Sequence, residues 1–170
     1  MTLYHNVSIQ KFLLLSIVSF GIYPTYWFYK NWKYIRNKEG RDISPFWRAI
    51  FGLFYCYGLF KEIRSDKEMT DVVTPDYNAR LYAALYIVLS FLSPIPTTVI
   101  GHQNSIVVFL FNIPAFAAFI PVLYYINKVN SKLGGSLSDW SRGETVCVVF
   151  GIISWIFITL SIILKPLIAQ

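Results

Sequence analysis

The sequence predicts an all-α integral membrane protein: a helical bundle of four transmembrane helices plus one re-entrant or interfacial helix, in a single membrane domain over residues 1–170. Two observations predict it. First, 55% of the residues are hydrophobic and only 14% are charged, where a soluble domain carries about 25% charge. In water such a chain would expose apolar patches larger than monomers tolerate. Second, the charges are partitioned. All nine acids, and every basic residue except Lys11 and Lys165, fall in three windows, Lys30–Arg48, Lys61–Arg80 and Lys128–Glu144. Between them lie apolar runs approaching the ~20 residues that cross a bilayer, and Leu81–Asn127 contains no Asp, Glu, Lys or Arg. The formal charge of +6 follows from the Lys and Arg enrichment of cytoplasmic loops and calls for no nucleic-acid partner.

The first segment is expected as one helix over about 12–36. Its apolar part, Phe12–Tyr29, is long enough to span, and no basic stretch precedes it as in a signal peptide. Gly21 and Pro24 predict a kink. A break there would instead make a hairpin and bring the N-terminus to the cytoplasmic side. Beyond Tyr29, Phe28, Trp32 and Ile35 form an apolar stripe beside a basic face of Lys30, Lys33 and Arg36, the pattern of a helix lying against headgroups.

The second helix is expected over about 45–66, started by Ser44 as cap and Pro45 as first residue. Its apolar run, Phe46–Phe60, is short and basic at both flanks. A crossing would leave one basic cluster outside, so a re-entrant or interfacial helix is the reading. Gly52 and Cys56 are a small-x-x-x-small pair that admits a close helix neighbour. Thr74-Pro75 signals a third helix over about 75–98. The uncharged turn at Gly101–Ser105 makes it a hairpin with a fourth, about 106–128. A fifth, about 142–164, opens on Ser141 and Glu144 at capping-box spacing. With the charged windows cytoplasmic, segment one runs inward, three outward, four inward and five outward. A weak internal echo relates Lys38, Gly40, Ser44 and Arg48 to Lys132, Gly134, Ser138 and Arg142.

Residues 8–64 resemble small bacterial multi-pass inner-membrane proteins known as a domain of unknown function. The resemblance is carried by Gly21-x-Tyr23-x-x-Tyr26-Trp27-Phe28-Tyr29-Lys30-Asn31-Trp32, a basic connector, and Ser44-Pro45-Phe46-Trp47-Arg48. It implies a bacterial cytoplasmic-membrane protein and no particular chemistry. It marks Tyr26, Trp27, Asn31, Trp32, Pro45, Phe46, Trp47 and Arg48 as positions to test.

Chemistry-bearing groups are sparse. His5 and His102 are expected in solvated outer turns, away from any carboxylate, so neither a metal site nor a general base is predicted. All nine carboxylates, Glu144 included, read as solvated loop charges, although Glu39/Asp42 and Glu62/Asp66 have helical spacing. Cys56 and Cys147 read as small buried apolar residues. No cofactor motif occurs. No acid is expected inside the membrane, which argues against an ion-driven pump. Arg48 is expected to snorkel toward phosphates.

The sequence therefore points to a non-enzymatic protein acting through lipid, in particular anionic headgroups, or through a protein partner. The contact residues would be Tyr26, Trp27, Lys30, Trp32, Lys33, Arg36, Trp47 and Arg48. Interfacial preference of Trp and Tyr alone accounts for the aromatic band without a specific site. The alternatives are a small transporter or channel subunit for a neutral or lipid-like substrate, homo-oligomeric through Gly52 and Cys56, and a lipid-modifying enzyme using Asp42 or Glu62 as base.

Overall fold

A computed structural model describes residues 2–92 and 113–168, the side chains of 161–168 excepted. Among the described residues the fold is all-helical. The helices are α1 (Ile9–Val18), α2 (Ile22–Glu39), α3 (Pro45–Ile50), α4 (Gly52–Ser65), α5 (Lys67–Thr70), α6 (Ala79–Leu92), α7 (Ile120–Lys132) and α8 (Arg142–Ile168). Residues 113–117 are also helical and lead into α7.

Segment one is not the single helix of 12–36. It reverses at Ser19–Gly21 into the hairpin that the Gly21–Pro24 pattern left open. The reversal is a Schellman closure: Phe20 N–H bonds the Ile17 carbonyl (3.2 Å) and Gly21 N–H the Ser16 carbonyl (2.8 Å). Phe20 (φ 51°) and Gly21 (φ 81°) are both left-handed. That conformation is ordinary for glycine and costly for Phe. The Phe20 ring compensates by lying 4.6 Å from that of Trp155 on α8. Ser19 Oγ then accepts from Tyr23 N–H at 2.9 Å to start α2.

The hairpin returns the N-terminal arm to the end of the fold that carries the charged loops. Residues 3–7 are buried between α2 and α7, and asparagines pair backbone groups of Leu3, His5 and Val7. Asn130 accepts from Leu3 N–H (2.7 Å) and donates to the Leu3 carbonyl (2.9 Å). Asn31 accepts from His5 N–H (2.9 Å) and Asn127 donates to the Val7 carbonyl (3.0 Å). A side-chain amide offers the same donor–acceptor pair as a peptide, so an irregular arm is buried without leaving its peptide groups dry. Asn6 extends the tie to the α7–α8 loop through Ser136 and Ser138.

The centre is aromatic. The ring of Phe119 lies 4.8–5.7 Å from those of Phe12, Trp27, Phe28, Phe60 and Tyr86, so α1, α2, α4 and α6 meet at one residue. Edge-to-face pairs of this kind add to simple area burial.

Helix two also departs from expectation. It breaks at Phe51 into α3 and α4, and Ser44 makes no side-chain cap bond although Pro45 does occupy the first turn. α6 starts at Ala79, not at Thr74-Pro75, because Asn78 Oδ1 takes the cap, accepting from the N–H groups of Arg80 (3.0 Å) and Leu81 (3.2 Å). The predicted turn at 101–105, His102 and the start of segment four lie outside the described residues.

One helix among the described residues is long and apolar enough to cross a bilayer: Arg142–Leu160, mean hydropathy 2.0, of which only 17% is buried. A core helix of a soluble domain would be mostly buried; here Val146, Phe150, Ile153 and Phe157 face outward. α1 and α6 are apolar but shorter. The hairpin tip meets α8 at Gly151, where an added Cβ would run into the Val18 carbonyl oxygen and lie 3.0 Å from Ser19 Cα. Gly151 is nine residues into α8, so the hairpin reaches about 14 Å along it, and α8 continues for about 25 Å more at ~1.5 Å per residue.

Because that clash is with backbone, Gly151→Ala is expected to destabilise the fold by roughly 1–3 kcal/mol, the usual range for overpacking. The exposed neighbour change Val149→Ala should stay within about 0.5 kcal/mol. Denaturant unfolding of both variants in detergent micelles checks this.

Candidate functional site: an aromatic–basic rim over a buried glutamate

α2 presents two faces. Phe28, Trp32 and Ile35 are each 1% exposed and form the apolar stripe read from the sequence. On the other side Lys33 and Arg36 are exposed, and Lys30 is half-buried with its ammonium 6.0 Å from the Tyr26 ring. Among the described residues, Lys33 and Arg36 have no carboxylate within ion-pair distance.

The expected aromatic contacts divide. Trp47 is 57% exposed, and with Phe46, Ile50, Phe51 and Phe54 it makes an apolar surface on α3 and α4. Trp27 and Trp32 lie in the core instead of the expected interface. Trp27 is enclosed by Phe12 and Phe119. Trp32 is covered because α3 and α4 fold back along α2. Arg48 does not extend away toward solvent phosphates: its guanidinium lies 4.4 Å from the Trp32 ring centre and 5.3 Å from that of Tyr55. A cation over an aromatic face gains about 0.5–1 kcal/mol at exposed sites and more when desolvated, so Arg48 holds α3 to α2 as well as charging the rim.

Gly52 and Cys56 are both buried within the chain. A Cβ at Gly52 would come 3.1 Å from the Phe28 ring, and Cys56 Sγ faces the Ala83 carbonyl of α6 at 3.9 Å. The small-residue pair therefore accommodates α2 and α6.

Where α1, α2 and α8 meet lies a polar cluster that the sequence reading missed. Glu144 is 0% exposed, against the expectation of a solvated loop acid. Its Oε1 accepts from Tyr23 (3.0 Å) and its Oε2 from Ser141 N–H (2.8 Å), while Lys11 Nζ lies 3.0 Å from each oxygen. Ser141 Oγ returns a bond from Glu144 N–H at 3.2 Å, so the capping box is formed, but its carboxylate also faces inward. Tyr26 shares a hydrogen bond with Ser141 (2.9 Å), and Lys11 stacks over Trp140 (5.1 Å).

His5 was expected in a solvated outer turn. It is 6% exposed, with Nε2 3.9 Å from Glu144 Oε1. It comes here because the hairpin reversal returns the arm to α8. Burial, then the nearby Lys30 and Lys11 charges, hold its pKa down to about 4 although Glu144 pulls the other way. Its ring is therefore neutral at pH 7. Among the described residues no three His, Cys, Asp or Glu side chains converge. The sequence did hold one signal for the cluster. Lys11 lies outside the charged windows at the foot of one apolar run, and Glu144 heads another.

The loop acids behave differently. Asp66 and Glu68 accept from Lys38 (2.7 and 3.1 Å), and Glu62 takes Arg41 (2.7 Å). These pairs tie the end of α2 to α4 and α5, the Asp66 carboxylate being largely covered and also accepting from Tyr4 Oη at 2.8 Å. Asp42 is exposed.

Comparison of the chain with protein-family models, with characterised proteins and with solved structures finds no match.

Two outcomes follow for the cluster. Glu144→Gln leaves Lys11 without its charge partner in a part-buried site, and is expected to cost about 2 kcal/mol or more. Glu62→Gln, which breaks an exposed pair, should cost under about 1 kcal/mol; denaturant midpoints in detergent compare them. For His5, an unfolded histidine titrates near 6.5 and the folded one near 4. The folded state takes up the proton less readily, so this contribution is complete above about pH 6.5 and is lost as pH falls through about 4. Thermal midpoints of the wild type should drop over that window more steeply than those of His5→Gln.

Proposed function

We propose that this is a multi-pass protein of the bacterial cytoplasmic membrane, without a catalytic role, that works through contacts made by its aromatic–basic rim with anionic lipid or with a membrane partner. The observation that carries the reading is the surface of α3 and α4. Phe46, Trp47, Ile50, Phe51 and Phe54 are 48–75% exposed, on elements that carry Arg48 and pack on the helix that exposes Lys33 and Arg36. An amphipathic element of this composition lies in the headgroup–acyl boundary, its rings buried and its cations at the phosphates. Each Lys or Arg near an anionic leaflet adds about 1 kcal/mol before screening.

In this reading α8 crosses the bilayer, and α6 and α7 belong to the further expected crossings. The α1–α2 hairpin enters only partway from the cytoplasmic side. The outward apolar faces of α6 and α8 support the placement, since water would not tolerate them together. The bacterial assignment extends the resemblance read from residues 8–64 of the sequence. A small transporter or channel subunit has less support: Gly52 and Cys56, its expected oligomer contact, are occupied by the chain's own Phe28 and Ala83.

The test is depth. In liposomes washed with carbonate, the tryptophan emission that Trp47→Phe removes should be quenched more by lipids brominated near the headgroup than by lipids brominated near the chain end. Lys33→Gln with Arg36→Gln should weaken the preference for anionic liposomes. Emission from Trp47 that no brominated lipid quenches would contradict the reading.

A further inference from the structure

Among the described residues, the rim does not hold all of the positive charge that lacks an acid within ion-pair distance. α4 and α6 run antiparallel, tied by Tyr77 Oη donating to the Phe60 carbonyl (2.8 Å) and by the approach of Cys56 to Ala83. Between them is a groove of about 590 Å³ lined by Tyr57, Lys61 and Arg64 of α4 and by Pro75, Asn78 and Arg80 at the start of α6. Three of these residues are cations, and no carboxylate lines the groove. Among the described residues, Lys61, Arg64 and Arg80 have no acid within ion-pair distance.

That is not the habit of this part of the chain. A few residues away, Lys38 and Arg41 are neutralised by Asp66, Glu68 and Glu62. Three cations converging without counter-charge repel one another until an anion joins them.

We infer that this groove is a headgroup site for an anionic phospholipid. The side chains suit a phosphate. Two guanidinium forks match its oxygens, and Lys61 adds a third charge. Tyr57 Oη accepts from Arg80 Nε at 3.3 Å, which leaves the phenol proton to donate to the ligand. The anion is held by side chains, because Asn78 already occupies the first N–H groups of α6.

The surroundings select a lipid over a soluble phosphate. One residue past Arg80, α6 exposes Leu81, Leu85 and Val88 at i, i+4 and i+7, and α4, running the other way, exposes Phe54 at 75%. Both helices are basic at the same end and apolar at the other, so a ligand with an anionic head and acyl chains meets matching chemistry along its length.

The inference rests on the membrane-embedded reading and concerns cations other than those of the rim. Its test is native mass spectrometry of protein released from nanodiscs of equal phosphatidylglycerol and phosphatidylcholine. The wild type should retain phosphatidylglycerol over phosphatidylcholine by roughly tenfold, allowing for screening of the three attractions. Lys61→Gln with Arg64→Gln, two side chains with no hydrogen-bond partner among the described residues, should bring the ratio near unity, and Lys33→Gln with Arg36→Gln should leave most of it. Equal retention of the two lipids by the wild type, or an unchanged ratio in the Lys61/Arg64 variant, would overturn the site. Loss of the enrichment on adding glycerol phosphate alone would assign the groove to a soluble ligand and overturn the lipid. Failure of enrichment in protein that stays in the nanodisc overturns this inference alone; failure to enter the nanodisc overturns the membrane reading with it.

Discussion

The Glu144 carboxylate is the point on which the arrangement of α1, α2 and α8 depends. It lies at the first turn of α8, fully buried, and takes Lys11 from α1 and Tyr23 from α2. A buried carboxylate without partners would be expelled to water or protonated. Here its oxygens are taken by an ammonium, a phenol and a backbone N–H, and that saturation is possible only when the hairpin has closed and its foot rests on α8. The same saturation leaves the carboxylate no free position for a substrate ion. The cluster is therefore best understood as a fastening between three elements. His5, neutral and packed at its edge, completes the enclosure.

The rest of the fold is consistent with a short hairpin propped at its foot. Its tip is fitted to Gly151, its flank to Phe119, and the arm that precedes it to three asparagines of α2 and α7. The polar fastening lies beside charged loops and the aromatic centre lies deeper, so polarity falls along the hairpin toward its tip. The two basic surfaces, on α2 with α3 and between α4 and α6, sit where the exposed apolar surface begins. Such a boundary is where cations can reach phosphate while their helices remain in hydrocarbon.

Much of this was legible in the sequence. The helical character, the apolar stripe of Phe28, Trp32 and Ile35, the Ser141–Glu144 capping box and the buried small residues Gly52 and Cys56 follow from spacing alone. The reversal was only half legible. Gly21 marks a break, but the left-handed residue that turns the chain is Phe20, stabilised by Trp155 more than 130 positions away, and no local pattern shows that contact. The positions of Trp27 and Trp32 were misread because interface preference and core burial favour the same rings; the fold-back of α3 and α4 decides between them. His5 and Glu144 were misread for one reason. Local windows treat a polar residue near a loop as solvated, whereas a long-range partner can bury it. Asn78 took the α6 cap from Thr74-Pro75 because its side chain reaches two N–H groups directly.

The account turns on the hairpin, and side-specific labelling tests it most directly. In a background of Cys56→Ala and Cys147→Ala, single cysteines would be placed at Thr2, ahead of α1, and at Asn37, near the end of α2. Each would be probed with a membrane-impermeant maleimide in vesicles of known orientation. Reversal at Ser19–Gly21 predicts that both positions react from the same face of the membrane. Reaction from opposite faces, as a single through-going helix requires, would contradict it and remove the basis for the Glu144 fastening.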